Sequence, residues 1–113
     1  MRLIASLAMV PLLAAGAMPV RAHEAPSGWE YPFYCCLDSD CAPIAPEAVR
    51  EGHGGFIVTI APGKHPMWSQ ERREPLILEI PYDKAKQSPD GHWHLCIDDA
   101  GDLLCFFAPP GDS

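Results

Sequence analysis

The chain has 113 residues, with 15 Asp and Glu against 8 Lys and Arg, a formal net charge of −7, 13 prolines and five cysteines. So acidic a balance, without a basic patch or a basic stripe interleaved with aromatics, argues against nucleic acid and anionic membrane as partners. The length allows one small domain, and a chain of about 90 residues buries only some 60 to 65% of the surface it exposes when unfolded, so covalent staples are useful.

Met1-Arg2 gives a basic start, Leu3 to Leu13 is almost wholly apolar, and small residues with Pro19 lead to Val20-Arg21-Ala22. This is the pattern of a cleaved export signal. The apolar run is shorter than the roughly 20 residues that a permanent span needs. Residues 1–22 are therefore read as a signal peptide and 23–113 as a mature periplasmic or secreted domain, with cleavage after Ala17 as the alternative. No cysteine lies near either site, so no membrane anchor is expected after cleavage. All five cysteines fall in the mature part, which suits an oxidising compartment.

From the new terminus, His23 to Gly28 reads as an extended lead-in. Trp29-Glu30-Tyr31-Pro32-Phe33-Tyr34 is an aromatic cluster running into Cys35-Cys36, expected to lie across a sheet as its lid, since each ring buries about 150 to 250 Å². Leu37 to Cys41 reads as a turn. Ala45 to Gly52 allows a single helical turn opened by Pro46, or a strand at Val49 to Glu51. The preferred reading is a hairpin through Gly52-His53-Gly54-Gly55 into a clear strand at Phe56 to Ile60, with the helical turn confined to its approach. His53 is then a solvated turn residue.

Pro62 to Glu74 reads as a surface loop. His65 and Met67 within it are weighed as soft metal ligands, against the plainer reading of a proline-rich loop with one apolar residue tucked beneath. Leu76 to Ile80 is the next strand, bounded by Pro75 and Pro81 as suits an edge. Tyr82 to Gln87 carries the chain onward. Ser88-Pro89-Asp90-Gly91 is a turn signal that opens His92 to Ile97, and Asp98 to Asp102 is a second turn before Leu103 to Phe107. Together these mark a β-hairpin. In an extended strand His92, His94 and Cys96 share one face, while Trp93, Leu95 and Ile97 share the other.

Five cysteines allow two disulfides and leave one thiol over, with the pairing among Cys35, Cys36, Cys41, Cys96 and Cys105 not readable from sequence. Adjacent Cys35 and Cys36 are not expected to join each other. Cys96 and Cys105 sit opposite one another only if the hairpin centres on Ala100-Gly101. At least one bridge is expected from Cys35, Cys36 or Cys41 to Cys96 or Cys105, because a staple across so long a loop constrains the unfolded chain most. The remaining thiol allows a disulfide-linked dimer.

Two kinds of chemistry compete with a plain structural reading. Cleavage after Ala22 places His23 at the new terminus, where amine and imidazole chelate a metal together, and His92 and His94 sit on one strand face. Copper or zinc is the cofactor this set would take. Alternatively, the vicinal Cys35-Cys36 pair performs thiol–disulfide work if one member is free and its pKa is lowered. No catalytic motif is found: the chain lacks Gly-x-Ser-x-Gly, His-Glu-x-x-His, a phosphate loop and Cys-x-x-Cys. Asp38, Asp40, Asp98, Asp99 and Asp102 do not have EF-hand spacing and read as turn formers.

Trp29-Glu30-Tyr31-Pro32, Cys35-Cys36, Asp40-Cys41, Tyr82 to Lys84, Ser88-Pro89-Asp90-Gly91, His94, Cys96, and Cys105 ahead of Pro109-Pro110 form a combined pattern over most of the mature chain. It resembles a family of small uncharacterised exported proteins of alphaproteobacteria. The resemblance implies compartment and cysteine pattern, not mechanism. It also implies a histidine just after the signal, matching His23, and one before the penultimate cysteine, matching His94, whereas His92 is a feature of this sequence. The expectation is a mainly β, single-domain antiparallel sheet of about four strands, stapled by disulfides. Its expected role is that of a non-catalytic binding or structural module for a ligand or protein partner that the sequence does not identify. A copper or zinc binder is the first alternative and a thiol-active protein the second.

Overall fold

The computed structural model describes residues 23–36 and 39–111, so residues 1–22, expected to be a signal peptide, Leu37 and Asp38 of the expected turn, and the last two residues lie outside the described part. The fold is mainly β, as the alternating patterns require. Its strands are β1 (Cys41–Ile44), β2 (Val49–Gly52), β3 (Gly55–Ile60), β4 (Leu76–Pro81), β5 (Ala85–Gln87), β6 (Trp93–Ile97) and β7 (Leu103–Ala108). They form two sheets, one of order β1-β6-β7-β5 and one of order β2-β3-β4. All pairings are antiparallel except that of β5 with β7.

The β6–β7 hairpin is the centre of the larger sheet. Its register pairs His94 with Phe107, Leu95 with Phe106 and Cys96 with Cys105, followed by an irregularity that pairs Ile97 with Leu103. The connecting turn is held by Asp98, whose Oδ1 accepts the Ala100 N–H at 3.0 Å and the Asp102 N–H at 2.8 Å. An aspartate folding back onto the backbone two residues on is the reason this residue type begins turns.

Because β6 and β7 are central, both of their faces are covered. One face gives Leu95, Ile97 and Phe106 to a core shared with Val58, Ile60 and Ile80 of the smaller sheet. The other gives Cys96, Cys105 and Phe107 to a second core closed by Ala25, Trp29, Tyr31, Cys35 and Cys36 of the lead-in. Larger than the expected sheet, this three-layer arrangement draws in two segments that carried little strand signal. Residues 41–44 pair with β6, and 85–87 lie parallel to β7, where the Ser88 N–H continues the ladder to the Ala108 carbonyl at 2.8 Å.

The smaller sheet follows its sequence signals closely. A 3-10 turn at Pro46–Ala48 leads into β2, and β2 pairs with β3 through the glycine turn. Gly55 faces Pro81 across the β3–β4 ladder. A Cβ there would fall onto the Ile80 carbonyl, so only glycine lets β4 close on β3. β4 is an edge strand ending in Pro81, as expected.

Two disulfides tie the layers: Cys35–Cys105 and Cys41–Cys96, spanning 70 and 55 residues. Cys96 and Cys105 do sit opposite one another, yet each reaches the amino-terminal cluster rather than its neighbour. The reason is that Cys41 is itself the strand partner of Cys96. The aromatic lid divides. Trp29 and Tyr31 close the second core, whereas Phe33 and Tyr34 are 71% and 63% exposed.

Candidate functional site

Where the lead-in meets β6, four side chains form one line of hydrogen bonds, Ser27–Asp90–His94–Tyr31. Asp90 lies in the turn before β6, and Gly91, at φ +76°, lets the chain fold so that this carboxylate returns over the start of the strand. Its Oδ1 accepts the His92 backbone N–H at 3.0 Å and His94 Nε2–H at 2.8 Å, and its Oδ2 accepts the Ser27 hydroxyl at 2.7 Å. The other His94 ring nitrogen, Nδ1, lies 2.7 Å from the Tyr31 hydroxyl. A carboxylate accepts only, so the neutral ring carries its proton on Nε2 and takes the Tyr31 O–H at Nδ1.

Burial shapes the electrostatics. Tyr31 and His94 are each 1% exposed. Burial, reinforced by the nearby Asp90 and Cys36, pushes the Tyr31 hydroxyl far above the usual phenol range, which keeps it a donor. Burial alone would raise the Asp90 pKa. The bonds from His94, Ser27 and the His92 N–H outweigh it and hold the carboxyl well below the usual range. Trp29 packs edge-on against His94, Tyr31 and Phe107, each at 4.9 Å between centroids, and covers the His94–Tyr31 end of the line, while the Ser27 end is exposed.

A second polar pair adjoins the first. The His23 ring stands edge-on to Tyr31 at 5.1 Å, and its Nδ1 lies 2.8 Å from Cys36 Sγ. Cys36 is the buried cysteine outside both bridges.

The structure does not gather His23, His92 and His94 into one ligand set, and no group of three His, Cys, Asp or Glu side chains placed to hold a metal occurs among the described residues. His94 already uses both ring nitrogens. His92 is exposed, because β6 begins at Trp93 and the Gly91 turn takes residue 92 out of the strand alternation. His53 is exposed in its turn, as expected. His65 is not a surface residue: it is 3% exposed, and both ring nitrogens are hydrogen-bonded, Nε2 donating to the Leu95 carbonyl at 2.8 Å and Nδ1 accepting the Met67 N–H at 3.1 Å. It is the residue that fastens the long loop to β6. Burial lowers its pKa, partly opposed by the bond to Leu95.

Sequence reasoning missed the roles of Tyr31, Asp90 and Ser27. Two signals were available. A buried tyrosine needs a hydroxyl partner, and Asp90, placed four residues before His94 across a glycine turn, is within reach of that ring. Comparison of the chain with protein-family models, curated proteins and solved structures finds no match.

Proposed function

We propose that the protein is an exported, non-catalytic binding or structural domain of the periplasm or extracellular space, built to persist where disulfides form. The observation that carries this reading is the use made of the side chains able to do chemistry. Asp90, His94 and Tyr31 form the same kind of relay that activates a hydroxyl nucleophile in hydrolases. Here the hydroxyl end is sealed beneath Trp29 and His23, with the ring and the phenol each 1% exposed. A relay with no room for a reacting carbonyl within about 3 Å of its hydroxyl acts as a clasp, fastening the lead-in to the sheet. Two long-range disulfides in so small a core support the oxidising compartment.

The test is expression of the whole chain with its own leader, followed by fractionation, intact mass and thiol alkylation after unfolding. The expected product lies in the periplasm or medium, begins at His23 and carries one alkylatable cysteine. Cytoplasmic protein with all five cysteines reduced would reject the proposal.

A further inference from the structure

His23 and Cys36 form a thiol–imidazole pair that the Asp90–His94–Tyr31 clasp does not use. They are joined at 2.8 Å between Nδ1 and Sγ, with Cys36 buried and His23 half-buried beside Tyr31. We infer that this pair, completed by the α-amine of a chain beginning at His23, is a binding site for a d10 metal ion, zinc(II) or copper(I). The amine donor rests on the export reading above; the imidazole and thiolate donors do not.

Three features bring the donors together. The amine and Nδ1 of an amino-terminal histidine close a six-membered chelate ring on one ion, which fixes two donors by covalent geometry alone. Cys36 is anchored through its neighbour Cys35, bridged to β7 at Cys105, so the thiol is presented by a rigid layer. An ion at ordinary zinc distances from nitrogen and sulfur holds these two donors about 3.6 Å apart at a tetrahedral angle. The pair therefore opens by less than about 1 Å, a movement available to a half-buried residue at the start of the domain.

A thiolate with two nitrogen donors selects zinc(II) or copper(I) over hard ions. Binding replaces the S–H bond of Cys36 with a metal–sulfur bond and releases its proton to solvent, with no change of oxidation state. His94 takes no part, since both its ring nitrogens stay in the clasp.

The test uses protein produced to begin at His23, with both disulfides formed, and titrates it with cobalt(II) as a visible stand-in for zinc. One equivalent should give an intense near-ultraviolet sulfur-to-cobalt band, bleached by zinc. Competition against chelators, with zinc in air and copper(I) without oxygen, tells the two ions apart. Tight uptake of either supports the site, and uptake of neither overturns it. Cys36→Ser should abolish the band, and one extra residue before His23 should weaken binding about tenfold or more. A band retained in Cys36→Ser, or equal affinity with the extended terminus, overturns the three-donor site.

Alkylation of native, unsubstituted protein guards against a Cys36→Ser chain that fails to fold. Zinc should slow labelling of Cys36, and an unchanged rate counts against the inference. A chain recovered from the cell envelope that begins elsewhere would overturn the processing step alone, leaving the titration to judge the metal site.

Discussion

Removing the Tyr31 hydroxyl weighs the clasp at its most sensitive point. Tyr31→Phe keeps the ring packing and leaves His94 Nδ1 buried without a donor, a loss of about 1 to 3 kcal/mol, read as a lower midpoint in urea with an unchanged slope. The reverse case is Ser88, whose buried hydroxyl has no hydrogen-bond partner among the described residues. Ser88→Ala relieves that desolvation and should stabilise the fold by up to about 1 kcal/mol. pH separates two other residues by sign. His65 has a lowered pKa in the fold and an ordinary value of 6.5 when unfolded. Its contribution is thus complete above pH 6.5 and is lost as pH falls from there toward the lowered native value, because the unfolded chain takes up the proton that the buried ring refuses. Asp90, held below its ordinary 3.8, loses its contribution only at more acid pH, from 3.8 downward. Thermal melts across this range should show two steps, and His65→Gln should remove the first while sparing the second.

At the level of the strand, the closest fit in the smaller sheet is Gly55 against β4. A methyl group there meets backbone rather than a movable side chain, so Gly55→Ala must push β4 away and disturb a ladder that runs from Gly55–Pro81 to Ile60–Leu76. Overpacking of this kind costs about 1 to 3 kcal/mol, and amide exchange should quicken in β3 and β4 before it does in β6 and β7. The period-two pattern of β6 was plain in the sequence, and the side chains alternate as it required. What the pattern could not say is that the histidine and cysteine face is also interior. An alternating strand normally has one wet face, and here the lead-in covers it. β5 was illegible for a related reason. Ala85–Gln87 is too short for periodicity, and only β7 beside it makes those residues a strand.

Across the whole molecule the two disulfides are nested, with Cys41–Cys96 inside Cys35–Cys105. Closing the inner loop of 55 residues is worth about 4 kcal/mol in chain entropy. Once it is closed, the outer bridge completes a ring of only about 15 residues and adds about 3 kcal/mol. Removing either pair by double alanine substitution should therefore cost about 3 kcal/mol, and reducing both about 7 kcal/mol. A small domain has about 5 to 15 kcal/mol in all, so the reduced chain should lose its cooperative melt. A reduced chain that still melts sharply would mean that the two hydrophobic layers suffice alone.

The sequence by itself determined the β class, the hairpin and its turn chemistry, the edge character of Leu76 to Pro81, and the need for a long-range bridge. Those follow from residues that act on their immediate neighbours: alternating side chains, prolines without an N–H, aspartates that fold onto their own backbone. Only the tertiary structure decided which cysteines join, that Tyr31 reaches His94, that the lead-in covers the histidine and cysteine face of β6, and that His65 is buried against Leu95. These are contacts between residues tens of positions apart, fixed by which surface each strand and lead-in must cover, and no local pattern carries that information.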